Sequence, residues 1–267
     1  MKENKIEITE LFLEISSEVR YNILKKLEIK SQKQSHIAKE LDMTLPESHR
    51  QFERLSKVEM IVKDIEGLYS LTPFGRMFLK HLDSLEFLLK YKNYFQSHTL
   101  GDLPSKFEKR LSDLNECELV EGAFVLNEKM IKIASSGKYL RVISAHVPPD
   151  AFRQGLSSAV KTGKQVSIIY AKNTIIPKGF KEEFTNKAVQ DLISQGTYER
   201  RMTDVVQVYV VLNDKTAMVL FPDTRGNVDL NFGFVSEDSL FHNWCLDYHQ
   251  YIWEKSGSCD ISKFQES

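Results

Sequence analysis

Residues 44–57 read TLPESHRQFERLSK, and this stretch decides the fold of the first part of the chain. Thr44 and Glu47 have the spacing of a capping box, in which the first side chain accepts a hydrogen bond from a backbone N–H of the first turn. Pro46 falls in that turn, where it removes no intrahelical hydrogen bond. Apolar residues follow at helical spacing, so the pattern predicts an amphipathic helix that ends near Glu59.

The flanking segments complete a winged helix-turn-helix. Three shorter helical patterns precede the stretch, and two short strands around Glu66 and Gly67 follow it. Thr72 and Pro73 then cap a longer helix that extends to about Tyr94. The order of three helices, a recognition helix and a hairpin predicts a DNA-binding domain over residues 1–98.

In such a domain, the recognition helix enters the major groove of duplex DNA with its leading, outward side chains. Arginine can pair with guanine and glutamine with adenine, while Arg54 and Lys57 lie further along the helix, towards the phosphates. Glu66 repels phosphate, so we expect the wing to contribute little. The predicted DNA-binding residues are Glu47, Ser48, His49, Arg50, Gln51, Arg54 and Lys57 on the helix, with Lys63 and Gly67 on the wing.

The second part of the chain alternates helical segments with buried strands. We predict the domain boundary at residues 96–102, where the composition becomes polar around Gly101. We predict an α/β effector and dimerisation domain over residues 99–255 and a disordered tail over residues 256–267. The whole chain is therefore expected to belong to the α+β class, with an α/β second domain.

Composition restricts the remaining possibilities. The formal net charge is −1, which counts against a protein whose only task is to coat nucleic acid. No apolar run approaches the roughly 20 residues that span a membrane, and the charged N-terminus lacks a secretory core, so we expect a cytoplasmic protein without membrane association. The three cysteines and the scattered histidines form no metal-ligand pattern, and no cofactor is predicted.

Several motifs resemble those of known regulators. Residues 7–94 resemble archaeal ArsR-like winged helices through ISSEVRYNIL (15–24), IAKEL (37–41), the Arg54-Leu55 pair and YSLTPFG (69–75). The C-terminal part resembles the effector domain of the methanogenesis-regulator (FilR-type) family through ECELVEG (116–122), VDL (228–230), Gly233-Phe234 and residues 244–253. The resemblance implies a transcriptional regulator that binds DNA as a homodimer.

Effector domains of this type also resemble the phospholipase-D fold. Catalysis on that fold needs a histidine nucleophile, a lysine two residues later and a downstream aspartate. The comparable positions here hold Gln207, Tyr209 and Asp214. Glutamine cannot accept a phosphoryl group, and tyrosine carries no positive charge at neutral pH, so we predict that the chain is not an enzyme.

A surviving cleft in such a domain could still bind a ligand. The candidate ligand-binding residues are Arg141, His146, Arg200, Gln207 and Tyr209. An inward arginine favours an anionic effector, whereas His146 stands at a strand end, a common position for binding groups in α/β sheets. In a strand, Arg200 and Arg201 point to opposite faces, so only one of them can line a given cleft.

Two functions remain open at this stage. The first is a dimeric, sequence-specific regulator bound to double-stranded DNA and controlled by a small anionic ligand. The second is an adaptor whose winged helix binds a partner from the transcription machinery, because winged helices also serve as protein-interaction modules. The near balance of acidic and basic residues over residues 1–98 keeps the adaptor open.

Overall fold

The computed structural model describes residues 6–266 and divides the chain into two compact units, one up to Asp83 and one from Ser84 onwards. The α+β class predicted from the sequence is confirmed: a winged helix-turn-helix precedes an α/β unit. No described helix is both long and apolar enough to cross a membrane.

The described part of the first unit is built from four helices, the first part of a fifth and a small antiparallel sheet in the order β1-β3-β2. Its apolar interior comes from all the helices and from the wing strands. The elements are α1 (Ile8–Ile15), α2 (Glu18–Ile29), β1 (Gln32–Lys33), α3 (Gln34–Glu40), α4 (Leu45–Lys57), β2 (Ile61–Lys63) and β3 (Leu68–Leu71), after which α5 (Pro73–Lys90) begins.

The Leu-Thr-Pro-x-Gly sequence at residues 71–75 joins the wing to α5. The hydroxyl of Thr72 accepts a hydrogen bond from the backbone N–H of Gly75 (2.9 Å) and donates one to the carbonyl of Glu59 (2.6 Å). A Cβ at Gly75 would lie 2.2 Å from the carbonyl oxygen of Met60. Because backbone cannot yield at that distance, only glycine lets α5 start so close to the wing.

The second unit contains a nine-stranded mixed sheet with the path β11-β7-β6-β5-β8-β9-β10-β4, and β12 pairs with β6. Strands β5, β6 and β7 are parallel, whereas β8, β9, β10 and β4 continue antiparallel. The strands are β4 (Glu118–Glu121), β5 (Tyr139–His146), β6 (Gln165–Ile176), β7 (Tyr198–Thr203), β8 (Tyr209–Leu212), β9 (Ala217–Leu220), β10 (Phe232–Ser236), β11 (Gly257–Ser258) and β12 (Gln265–Glu266).

Helices cover both faces of this sheet, and the alternation of side chains along the strands divides the core into two layers. Val142 and Val211 belong to the layer beneath α7, α8 and α9, whereas their neighbours Ile143 and Val210 belong to the layer that contains α10 residues such as Trp244. The helices are α6 (Ser105–Glu108), α7 (Ala123–Ser135), α8 (Pro149–Thr162), α9 (Lys187–Ser194) and α10 (Ser239–Lys255).

The structure corrects two expectations about domain limits. The boundary between the compact units lies between Asp83 and Ser84 rather than near residue 98, because Phe87 and Tyr94 belong to the core of the second unit. The segment that follows α10 is ordered over residues 256–266 rather than disordered. Its two short strands pair with β7 and β6, and Phe264 is buried in the core.

Candidate functional site

Helix α4 presents a polar face whose leading half carries His49 and Arg50. Both side chains are exposed, and Lys57 near the end of the helix is 70% exposed. The helix starts where the sequence predicted, since the Thr44 hydroxyl accepts a hydrogen bond from the N–H of Glu47 (3.4 Å). These positions place a guanidinium and an imidazole on the surface that a recognition helix offers to base edges.

Ser48 and Gln51 do not lie on that face, which corrects their assignment as DNA-binding residues. Both are buried, at 0% and 8% exposure. The side-chain oxygen of Gln51 accepts a hydrogen bond from Nη1 of Arg20 in α2 (2.9 Å). Their place in the sequence explains this, because Ser48 lies one turn before Phe52 and Gln51 one turn before Leu55, so both share the inner stripe.

A buried carboxylate ties α4 to α1. Arg54 donates two hydrogen bonds, of 2.7 and 2.8 Å, to the carboxylate of Glu14, and Nε of Arg20 lies 3.2 Å from the same group. The hydrogen bond from Arg54 holds the pKa of Glu14 below its ordinary value, and burial lowers the pKa of Arg20. Arg54 is thus engaged within the unit, although 43% of its side chain stays exposed.

The wing is short and acidic. The Asp64 carboxylate accepts hydrogen bonds from the N–H groups of Glu66 and Leu68, and Gly67 supplies the left-handed residue of the turn (φ +82°). Lys63 lies over the ring of Tyr69, with 5.6 Å between Nζ and the ring centroid. Two carboxylates near the tip repel phosphate, so the role of Lys63 and Gly67 in DNA contact remains a prediction.

A basic groove borders α3, and sequence reasoning missed it. The groove has a volume of about 580 Å³ and includes the exposed residues Lys30, Lys33 and Lys39. In the sequence, residues 31–35 look like a polar loop between two predicted helices. In the structure, strand β1 at Gln32–Lys33 brings the lysines before and after the break together. We refer to Lys30, Lys33 and Lys39 as the basic groove.

In the second unit, the residues at the phospholipase-D-like positions do not converge. Tyr209 is 2% exposed, burial raises its pKa to about 12, and its hydroxyl lies 3.8 Å from the sulfur of Met130. Gln207 lies before β8, next to Gly101. Asp214 lies beyond the other end of β8, where it accepts a hydrogen bond from the N–H of Lys138 (2.6 Å).

The predicted ligand residues also separate. Arg141 lies over the ring of Tyr139 on the α10 side of the sheet, since the Tyr139 hydroxyl reaches His242 of that helix. Arg200 donates to the carbonyl of Phe184 (3.2 Å). Arg201, as predicted, takes the other face, over the ring of Trp253 of α10.

His146 and Tyr209 remain together, and both line a small interior cavity. The arginines and Gln207 are not among the residues that line it. The site that the sequence proposed for an anion is therefore not assembled from these five side chains.

A Ser-His-Asp grouping occurs at Ser97, His98 and Asp229. The Ser97 hydroxyl lies 3.0 Å from Nδ1 of His98, and Nε2 lies 3.1 Å from the Asp229 carboxylate. The backbone carbonyl of Tyr94 also lies 3.0 Å from Nδ1. The Tyr94 carbonyl can only accept a hydrogen bond, so Nδ1 of His98 is not placed to take a proton from the Ser97 hydroxyl. The group fastens this segment to the loop before β10.

Residues 6–266 hold no group of three side chains suited to bind a metal ion. Neither a family model nor a curated protein matches the sequence.

Solved structures offer distant likenesses. The archaeal chromatin protein TrmBL2, described as showing a novel mode of DNA binding, matches 95% of this chain and 100% of its own at 11% identity, with a TM-score of 0.39. NucT from Helicobacter pylori matches 54% of this chain and 99% of its own at 13% identity (TM-score 0.39). The phospholipase D family member Nuc from Salmonella typhimurium matches 53% and 97% at 15% identity (TM-score 0.34). The function proposed for this chain therefore rests on its own residues.

Proposed function

We propose that the chain is a transcriptional regulator that binds double-stranded DNA through α3 and α4. The observation that carries this proposal is the exposed pair His49 and Arg50 in the leading half of α4. The basic groove borders the preceding helix, α3. In a helix-turn-helix, the second helix reads bases while the first crosses the phosphate backbone. Lys39 on α3, with Lys30 and Lys33 just before that helix, supplies positive charge for the phosphates, and Arg50 on α4 supplies hydrogen-bond donors for bases.

The two sets of residues have different roles. Arg50 can donate two hydrogen bonds to O6 and N7 of guanine, which discriminates one base pair from the others. The lysines of the basic groove and Lys57 contact phosphates, which sets affinity without selecting sequence. Arg54 contributes less to DNA affinity than its charge suggests, because Glu14 already neutralises it.

The regulator acts as a dimer in this proposal. An apolar surface on the first unit supports a second copy as the partner: Ile8 and Phe12 of α1 are 58% and 48% exposed, and Phe74 and Met77 of α5 are 43% and 61% exposed. Phe78 connects the two helices through ring contacts with Phe12 and Phe74. A two-fold dimer would bury this surface and present two copies of α4 to an operator with inverted half-sites.

Effector control completes the proposal. A small molecule bound in the second unit would shift the DNA affinity of the dimer, provided that it binds the DNA-competent and DNA-incompetent states with different affinities.

The salt dependence of binding to DNA tests the function. The full chain is titrated against a random-sequence duplex at about 50 and about 200 mM salt, with fluorescence anisotropy as the readout. The three lysines of the basic groove and Lys57 would make four phosphate contacts per chain. The slope of log affinity against log salt should then be about −3.6 or steeper, so the affinity should fall about 100-fold or more over this range. Absence of binding at the lower salt concentration, or binding indifferent to salt, would contradict the proposal.

The adaptor function stays as the second candidate because of the wing. Ile65 is fully exposed at the tip between two carboxylates, and Leu45 is 64% exposed at the start of α4. Exposed apolar side chains next to acidic groups suit a protein partner better than a phosphate backbone. The adaptor predicts weak DNA affinity that is indifferent to sequence, which separates it from the regulator.

A further inference from the structure

A mainly apolar pocket of about 330 Å³ opens at the carboxyl ends of the parallel strands β5 and β6. In open α/β sheets, ligands bind outside the carboxyl ends of the strands, and small-molecule sites have volumes of about 300–1,000 Å³. The wall includes Ala123, Leu126 and Met130 from α7 and residues at the ends of β5 and β6, among them His146 and Ile175. The pocket lies wholly within the second unit.

The irregular end of β5 places His146 in the wall of this pocket. The register between β5 and β6 shifts between Ser144 and His146, and the Ser144 hydroxyl accepts a hydrogen bond from the N–H of His146 (3.0 Å). Irregularities of this kind re-aim a side chain and occur next to binding sites. Nδ1 of His146 is buried and has no hydrogen-bond partner within residues 6–266. A buried polar atom in this state gains free energy when a ligand supplies the missing hydrogen bond.

The electrostatics of the pocket disfavour a charged ligand. Among the described residues that line it, none is a lysine or an arginine, and Asn127 is the polar side chain besides His146. Burial lowers the pKa of His146, so its imidazole is neutral at neutral pH. An anion would lose its hydration without meeting a positive charge, whereas a neutral group loses little.

A smaller cavity of about 40 Å³ continues the apolar space inward. It shares Met130, His146, Val147 and Pro148 with the outer pocket and reaches Phe152 and Tyr209. Its lining is again almost wholly apolar, so a hydrophobic end of a ligand can extend in this direction.

We propose that this pocket binds a small, uncharged and mainly apolar molecule whose single hydroxyl or amide group hydrogen-bonds to Nδ1 of His146. This replaces the anionic ligand expected from Arg141 and Arg200, which lie elsewhere. The role of the molecule as an effector rests on the proposed DNA-binding function, whereas its binding does not.

Three matched probes test the proposal on the full chain without DNA: 4-propylphenol, propylbenzene and 4-propylbenzoate. They share one shape and differ in the polar group. Binding is followed through the imidazole nitrogen signals of the protein labelled with nitrogen-15 at histidine. We expect saturable binding of the phenol with a shift of the His146 signal, binding of the hydrocarbon weaker by about three- to tenfold, and no binding of the benzoate.

Two variants and a matched control complete the experiment. His146→Phe lacks the reporting imidazole and is measured by calorimetry; its affinity for the phenol should fall to that for the hydrocarbon. Ala123→Trp should block binding of both probes. Ala188→Trp, at an exposed position of α9 (Lys187–Ser194), should block neither. Preferential binding of the benzoate, absence of saturable binding by all three probes, or an equal effect of the control would overturn the proposal. Because DNA is absent, a failure here is distinct from a failure of the proposed function.

Discussion

Replacement of Lys30, Lys33 and Lys39 by glutamine is expected to weaken binding to any duplex about 100-fold at about 150 mM salt. Each lost phosphate contact removes about 0.9 from the slope of log affinity against log salt, so the slope should become shallower by about 2.7 per chain. The change should be equal for all sequences, because phosphate contacts carry no base information. Anisotropy titrations of the full chain at several salt concentrations measure both quantities.

A charge-matched control separates local contacts from the overall field of the protein. Lys132, Lys161 and Lys178 are exposed residues of the second unit, and their replacement by glutamine removes the same net charge. We expect this control to change affinity less than about fivefold, because lysines that make no phosphate contact release no counterions from the DNA. Equal losses in both triple variants, or no loss in the first, would mean that the basic groove does not contact DNA.

Glu14→Gln is expected to lower the free energy of unfolding of the first unit by about 3 kcal/mol. The side chains of Glu14 and Arg20 are only 10% and 8% exposed, so the substitution leaves a buried guanidinium without its anion, and such losses are large. Hydrogen exchange at the amides of α1, α2 and α4 in the full chain reports this local stability. Protection factors should fall about 100-fold there and stay unchanged in the second unit.

The matched control is Glu10→Gln. Glu10 lies 3.8 Å from Lys57, and their side chains are 42% and 70% exposed, so the pair should contribute less than about 0.5 kcal/mol. If Glu10→Gln reduced protection as much as Glu14→Gln, burial of the Glu14 ion pair would not explain its contribution to stability.

Acid should reproduce the effect of Glu14→Gln. Folding lowers the pKa of Glu14 below its unfolded value of about 4.3, so its stabilisation is present above that value and is lost as pH falls through the folded-state pKa. The wild-type chain should therefore lose protection in the first unit below about pH 4 more steeply than the variant. Parallel pH profiles would show that this carboxylate is not the titrating group.

Local chemistry was enough to predict the winged helix. The capping residue Thr44 acts within a few residues, and the structure contains the hydrogen bond that it predicts, from the N–H of Glu47 to the Thr44 hydroxyl. The faces of α4 were predicted less well, because Ser48 and Gln51 were judged by polarity. Their spacing from Phe52 and Leu55 was the signal that could have placed them inside.

The basic groove, the ordered C-terminal segment and the separation of the ligand residues were missed for one reason. Each depends on contacts between distant segments, which local sequence patterns do not reveal. The basic groove depends on strand β1, which is two residues long and too short for any periodic pattern. Phe264 is held in the core by β11 and β12, which pair with β7 and β6 and are also only two residues long. Arg141 and His146 lie on one strand, but sheet register and a bulge decide which neighbours each one meets.

The central claim is that α4 reads DNA sequence. Selection of bound sites by the full-length protein, from a pool of random duplexes at about physiological salt, tests it most directly when the Arg50→Ala variant is selected in parallel. We predict that the wild-type chain enriches one inverted repeat with half-sites about 10 base pairs apart, and that Arg50→Ala retains the repeat but loses its preference at one guanine. Absence of an enriched sequence with the wild-type chain, or identical sites from both proteins, would contradict this account of α4.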